Sequence, residues 1–345
     1  MAALLQALKV EMAMRRDYVF LPKTLYVGGG TPSLYKAAEL GGLIQEAKRL
    51  WGDHFTEVTV ELNPEDVTVD YCTMLVDHGV NRMSIGIQSF TNDHLRWMNR
   101  RHCAEQGVRA VEAVRKAGCQ NVSIDLIFGF PGLSDREWSA HIAQALALAP
   151  EHLSAYQLGI ECGTPLFAMA QKGLLRPVAQ EVAANQYAML QELLPAAGLL
   201  QYEVSNFARE GYRSQHNSSY WQGIHYLGLG PSAHSFNGVA RHANVRLLGR
   251  YLTGVHEGVL QKFQKEERTT RRKRYNEFVM TRLRTLEGVS RRELQAFADD
   301  KVWNHFERES ARLVQYGLLV EKEGAVVIPP QKWFISDGII TQLMM

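Results

Sequence analysis

Five short apolar runs, at residues 24–27, 57–61, 82–87, 122–127 and 153–158, alternate with segments whose apolar residues recur every three or four positions. The helical segments are 39–50, 69–78, 104–117 and 136–148, and Gly79 and Gly118 stand just past helix ends, as C-terminal caps do. Strand, helix, strand, helix in that order demands parallel pairing through right-handed crossovers. An α/β fold is therefore expected over the first 210 residues. About five such units fit a complete or partial (β/α) barrel better than an open sheet. In either geometry, ligands gather beyond the carboxyl ends of the strands.

The remaining texture is different. From Gln201 to Asn244 the chain turns to Gly, Ser, Asn, His and aromatic residues, which reads as an extended loop-and-strand lid. A basic run at 268–274 opens a helical segment at 275–286, followed by helical patterns at 290–298 and 302–316. Runs at 318–322 and 325–328 flank Glu323-Gly324 as in a hairpin, so the end of the chain reads as a small winged-helix-like module. Glu266, Glu267 and Glu277 offset the basic run, which suits a solvated helix start or linker better than a nucleic-acid patch.

Composition narrows the classes further. The 345 residues are 46% hydrophobic, enough for one large α/β domain and a smaller appendage, and a formal net charge of +2 gives no reason to expect a nucleic-acid partner. No apolar run approaches the ~20 residues that cross a bilayer. Residues 1–16 read as an amphipathic helix with an internal Glu11 and no cleavage-type sequence, so a signal peptide is not expected and the cytoplasm is the expected compartment. Cys72, Cys103, Cys119 and Cys162 lie far apart, and their spacing builds no metal site.

The chemistry-bearing residues sit where the strands end. Leu25-Tyr26-Val27 runs into Gly28-Gly29-Gly30-Thr31-Pro32, baring backbone amides and carbonyls to a small polar ligand. Glu61 ends an apolar strand before Pro64, either as a carboxylate aimed into the strand-end crevice or as a solvated rim charge. Gln88 follows Gly86-Ile87; it can cap the next helix or bond a sugar hydroxyl, and Gly86 leaves room for something large beside the backbone. Arg100 can clamp a carboxylate through two parallel hydrogen bonds, or complement the end of the preceding helix. Asp125 breaks an otherwise apolar strand, and a buried carboxylate demands a partner. Further on, His216, Asn217, Tyr220 and Trp221 form a compact group with His225 and His234 nearby. Imidazoles can ligate haem iron and aromatic rings can sandwich a macrocycle. His225 reads as structural, whereas His216 and His234 fit either role.

Taken together, these blocks resemble the radical S-adenosylmethionine proteins of the oxygen-independent coproporphyrinogen III oxidase group, and within it the haem-chaperone branch, HemW. The resemblance rests on Gly28-Gly29-Gly30-Thr31-Pro32-Ser33-Leu34, Glu61-Leu62-Asn63-Pro64, Gly86-Ile87-Gln88-Ser89-Phe90, Asp125-Leu126-Ile127-Phe128-Gly129-Phe130-Pro131-Gly132, Tyr202-Glu203-Val204-Ser205-Asn206-Phe207 and His216-Asn217-Ser218-Ser219-Tyr220-Trp221. It implies a radical SAM partial barrel over residues 1–210, a connecting lid over 211–265 and a HemN-type helical domain over 266–345. It also implies that backbone groups of Gly29, Gly30 and Thr31 hold the amino-acid end of S-adenosylmethionine beside Glu61. Arg100 is then the partner of its carboxylate, Gln88 and Asp125 reach its ribose side, and the HNxxYW block of His216, Asn217, Tyr220 and Trp221, with His234, meets haem.

One part of the pattern is missing. Such proteins carry a Cys-x-x-x-Cys-x-x-Cys loop upstream of the GGGTP strand, binding three irons of a [4Fe–4S] cluster. This sequence contains neither that loop nor a strand before it. The expectation is an N-terminally incomplete chain, with a cluster-free relative as the competing reading. The resemblance implies haem as cargo, haem-acceptor proteins as partners, association with membranes only through such partners, and self-association. The rival activity is oxygen-independent decarboxylation of coproporphyrinogen III; a plain (β/α)-barrel enzyme would leave the later blocks unexplained.

Overall fold

The computed structural model describes residues 2–345. The chain forms two compact units: one comprises the residues up to Tyr26, 35–58 and 214–345, the other residues 27–34 and 59–213.

The main sheet contains β1 (Thr24–Val27), β2 (Glu57–Leu62), β3 (Arg82–Gln88), β4 (Asn121–Phe128), β5 (His152–Gln157), β6 (Leu200–Gln201) and β7 (Asn206–Ala208), in the order β1-β2-β3-β4-β5-β7-β6. Strands β2 to β5 run parallel, with Glu61 opposite Ser84, Ser84 opposite Ser123, and Asp125 opposite Ser154. Successive side chains point to opposite faces, so each strand divides its residues by parity. One face is apolar and buried: Val60 and Leu62, Met83, Ile85 and Ile87, Val122, Ile124 and Leu126, Leu153 and Ala155. The helix Ala104–Lys116 packs there; a Cβ on Gly107 would meet Ile87 Cγ2 at 3.3 Å. The other face is polar: Thr59 and Glu61, Arg82 and Ser84, Ser123 and Asp125, His152 and Ser154.

The expected strands and helices over the first 150 residues are present within a residue or two. Residues 201–244 differ from the expected lid. Their first part extends the main sheet, with β7 antiparallel to β5 and β6 antiparallel to β7. Strands of two and three residues are too short to show a period in sequence. Gln215–Trp221 is a helix, started by Ser214, whose hydroxyl accepts from Asn217 N at 3.2 Å. The rest forms an antiparallel sheet of β8 (His234–Phe236), β9 (Ala240–Asn244) and β10 (Gln264–Arg268), ordered β10-β9-β8.

The unit holding that sheet is tied to its N-terminal helix, Ala2–Met14, by a buried polar hub. Glu11 is fully buried and accepts from Arg15 Nη1 (3.0 Å), Asn244 Nδ2 (2.8 Å), Gly230 N (2.8 Å) and Tyr251 OH (2.7 Å). At the C-terminal end, Thr270 caps the helix Arg271–Arg282 by accepting from Lys273 N, so this helix starts four residues earlier than expected. The helices Arg291–Gln295, Asp300–Gln315 and Ser336–Leu343 follow, with a three-stranded sheet of β11 (Val289–Ser290), β12 (Val320–Lys322) and β13 (Ala325–Val327). The basic run is largely paired: Lys273 with Glu267, Arg268 with Glu266 and Arg271 with Asp299.

Candidate functional site

The glycine turn after β1 is open. Gly28, Gly29 and Gly30 are exposed, and a Cβ on Gly29 or Gly30 would meet nothing within 4 Å. Close packing of the protein therefore does not demand these glycines, and the turn leaves its backbone open to the approach of a ligand. Gly29 has φ +74°, the left-handed region that favours glycine, and its amide donates to Glu61 Oε2 at 3.0 Å. The carboxylate at the end of β2 thus holds the turn, which favours the crevice reading of Glu61 over a rim charge.

Behind the turn, Ser33 Oγ donates to Asp66 Oδ2 (2.7 Å) and accepts from Asn63 N (3.2 Å). Arg101 pairs with Glu65 at 2.7 Å and with Asp66 at 3.5 Å, while His102 Nε2 lies 3.0 Å from Ile87 O. One acidic pair therefore fixes both the glycine turn and the segment that carries Arg100. Arg100 itself is half-buried. Its burial weakens its hold on the proton, and the fields of Glu65 and Asp125 oppose that effect.

Gln88 has an unusual backbone. It sits at a register irregularity between β3 and β4 with φ +65°, and its amide folds back over Gly86, where a Cβ would lie 2.8 Å from Gln88 Nε2. The space left by Gly86 is taken by Gln88's own side chain. Gln88 is not the cap of the next helix, Asn92–Trp97, whose N-cap residue is Thr91. A non-glycine residue held at positive φ stores strain, a feature that clusters at ligand sites.

Asp125 faces Ser84, whose hydroxyl lies 3.3 Å from both carboxylate oxygens, and Ser154. Burial raises its pKa to about 6; the Ser154 hydrogen bond and the Arg82 guanidinium pull it down, and the Glu61 charge pushes it up. The Glu61 charge thus acts on Asp125 across one face, and Gly29, Glu61, Gln88, Arg100 and Asp125 all belong to one unit. Sequence reading missed Ser84, Ser154 and Arg82, which share that face. Their signal is the alternation of polar residues along each strand.

The residues present do not fit an iron–sulfur cluster. Among the described residues no group of three or more His, Cys, Asp or Glu side chains could hold a metal ion. Cys72 and Cys119 are buried, and burial pushes the Cys72 thiol up to about 12, away from the thiolate that iron requires.

The second group lies in the other unit. His216 stacks on Tyr26, with ring centroids 4.8 Å apart and planes at 19°. Its Nδ1 lies 2.8 Å from Thr24 Oγ1 and its Nε2 lies 3.1 Å from Tyr220 OH. Glu57 anchors the helix start by accepting from Gln215 N (2.8 Å) and His216 N (3.0 Å). A histidine whose Nδ1 is hydrogen-bonded to a hydroxyl can offer its Nε2 to a metal, and at His216 that nitrogen now faces Tyr220 OH. Tyr220 is exposed and packs edge-on against Tyr226 at 4.6 Å. Trp221 Nε1 is buried without a partner, and Asn217 is half-buried. His234 is exposed on β8, and Gly228 lies against its backbone.

Residues 7–145 match the radical SAM superfamily, and residues 269–335 match the HemN C-terminal domain. The heme chaperone HemW of Bacillus subtilis is 33% identical over 319 residues, which cover 92% of this chain and 84% of that protein. HemW of Haemophilus influenzae is 31% identical over 85% of this chain and 76% of its own length. The mitochondrial radical S-adenosyl methionine domain-containing protein 1 of Danio rerio is 32% identical over 85% and 68%. In structure, the chain resembles the Escherichia coli coproporphyrinogen III oxidase HemN, with a TM-score of 0.81 and 20% identity over 99% of this chain and 82% of that one. That likeness shows the fold alone.

Proposed function

Because the chain belongs to the radical SAM superfamily and, within it, to the HemW heme chaperone family, we propose that it binds haem and passes it to acceptor proteins, with S-adenosylmethionine held on its (β/α) unit. The observation that carries this reading is the extent of the HemW match: 92% of the chain, at 33% identity. Decarboxylation of coproporphyrinogen III is the weaker alternative, since HemN shares only 20% identity.

The donor and acceptor set supports S-adenosylmethionine. When bound, it supplies an amino acid, a sulfonium and a ribose. Backbone groups of Gly29, Gly30 and Thr31 would hold the amino-acid end beside Glu61, with Arg100 on its carboxylate. Gln88 and Asp125 would take the ribose hydroxyls, for which an ionised carboxylate is a pure acceptor. The family's [4Fe–4S] cluster has no ligand set among the described residues. For the cargo, His216 Nε2 is the proposed iron ligand, with Asn217, Tyr220, Trp221 and His234 as the surrounding contacts. Among the described residues no helix is long and apolar enough to cross a membrane; the cytoplasm is the proposed compartment.

Titrating the full chain with haem tests the reading. A shifted Soret band in wild type, lost in His216→Ala and retained in Tyr220→Phe, is the expected result. A Soret band equally shifted in His216→Ala moves the iron to another ligand. Anaerobic conversion of coproporphyrinogen III, with no haem binding, overturns the chaperone reading.

A further inference from the structure

Arg82 is one of the largest fully buried side chains in the protein, 1% exposed, and projects from β3 onto the same face as Ser84. Its Nε has no hydrogen-bond partner, and among the described residues no carboxylate lies within ion-pair distance of its guanidinium. Its register partner Thr59 offers no relief, since that hydroxyl is also buried without a partner. A guanidinium does not shed its proton, and a buried charge without a close counter-ion is among the most costly features a fold retains. Such a charge acts on whatever titrates around it.

We propose that Arg82 is a positioning residue for the strand-end site: its unneutralised charge holds the Asp125 carboxylate in the anionic form that accepts hydrogen bonds. The inference rests on the reading of Asp125 as the ribose-side acceptor. The groups facing Asp125 are Glu61 from β2, Arg82 and Ser84 from β3, Ser154 and Tyr156 from β5, and Arg100 from the segment after the helix Asn92–Trp97. Burial and Glu61 both favour the protonated acid; the Ser154 hydrogen bond opposes them most, and Arg82 is the cation that adds to it. The same field disfavours protonation of His152 and helps to ionise Tyr156, so it is centred on this face. Without it, Asp125 would hold its proton near neutrality and present one donor where the ribose needs an acceptor.

The test reads Asp125 directly. In full-length protein carrying carboxyl-13C aspartate, the Asp125 resonance is the one absent from Asp125→Asn. Its titration midpoint is then followed in wild type, Arg82→Met and Arg82→Lys. The expected result is a midpoint raised by about one pH unit in R82M and nearly unmoved in R82K. Binding of S-adenosylhomocysteine, the probe, should weaken about twofold at pH 7 and about fivefold at pH 6 in R82M, and recover by about pH 9. If R82M does not fold, Arg82→Gln removes the charge while keeping a polar side chain. An unmoved midpoint in the uncharged variants, or an equal rise in R82K, overturns the inference. Failure of wild type to bind S-adenosylhomocysteine overturns the ribose reading instead and leaves the midpoint to decide the role of Arg82.

Discussion

Replacing Glu11 by alanine should be among the most damaging single changes available to this chain. The side chain is fully buried, and its two oxygens serve four donors, one of them charged. Asn244 Nδ2 and Arg15 Nη1 keep second acceptors, the backbone oxygens of Gly230 and Gly228, but Gly230 N and Tyr251 OH would be stranded. Arg15, 4% exposed, would lose the one carboxylate it pairs with among the described residues. Breaking a buried pair from one side costs about 3–5 kcal/mol, a large fraction of the ~5–15 kcal/mol that holds a protein folded. Glu11→Gln keeps the shape. Its amide can face Tyr251, which can turn to accept, so about one donor is orphaned, at ~1–3 kcal/mol. Denaturant unfolding followed by hydrogen exchange at Gly230 separates this unit from the other. The decisive measurement is the double variant. Adding Arg15→Met to Glu11→Ala removes the stranded charge and should recover about 1–4 kcal/mol. A Glu11→Ala loss below ~1 kcal/mol, or a double variant no better than the single, refutes the argument that a charge is left buried.

Gly86→Ala places a Cβ 2.8 Å from Gln88 Nε2, the movable end of a flexible side chain. Stability should fall by less than about 1 kcal/mol while S-adenosylhomocysteine affinity falls roughly tenfold, read by calorimetry and thermal melting; equal losses in both would point to a packing role. Asp125→Asn should stabilise the protein above pH 7. An acid whose pKa is raised from 3.8 to about 6 binds its proton more tightly folded than unfolded, so stability falls as pH climbs through that window and stays lower above it. The gain should be about 1–3 kcal/mol at pH 8 and vanish near pH 4, by urea unfolding at both; a destabilised Asp125→Asn at pH 8 would contradict it.

The parts of this fold that could be read in the sequence are those whose signal is local and periodic. Strands β1 to β5 announce themselves as short apolar runs between helical stretches, and their parallel order follows from that alternation. Glu61 and Asp125 stand out because each interrupts an apolar run near a strand end. What stayed hidden depends on distant partners or on a single torsion. The pairing of Asn206–Ala208 with β5 joins segments 54 residues apart, His152 opposite Ala208 and Ser154 opposite Asn206. The role of Gly86 could not be read without the positive φ of Gln88, which folds the amide back over it. Ser214 is an ordinary N-cap, but the Gln-His-Asn-Ser-Ser stretch behind it has weak helix propensity, and Glu57 supplies the missing stabilisation from β2.

The polar face leaves a signal in the sequence, polar residues at a period of two, that the apolar runs masked, and it carries the strongest argument for a binding role. A sheet face that had only to be filled would be lined with branched apolar side chains, as the interiors of (β/α) barrels usually are. Here the positions that alternate with Val60, Ile85, Ile124 and Leu153 are instead Glu61, Ser84, Asp125 and His152, with Arg82 fully buried among them. Such a lining lowers stability, since charges and hydroxyls in an interior cost more than the methyl groups they replace. A fold bears that cost where the same groups are required by a guest. Glu61 on the glycine turn, Arg100 within the fields of Glu65 and Asp125, and Asp125 within that of Arg82 are the groups for which a bound guest would supply the reason.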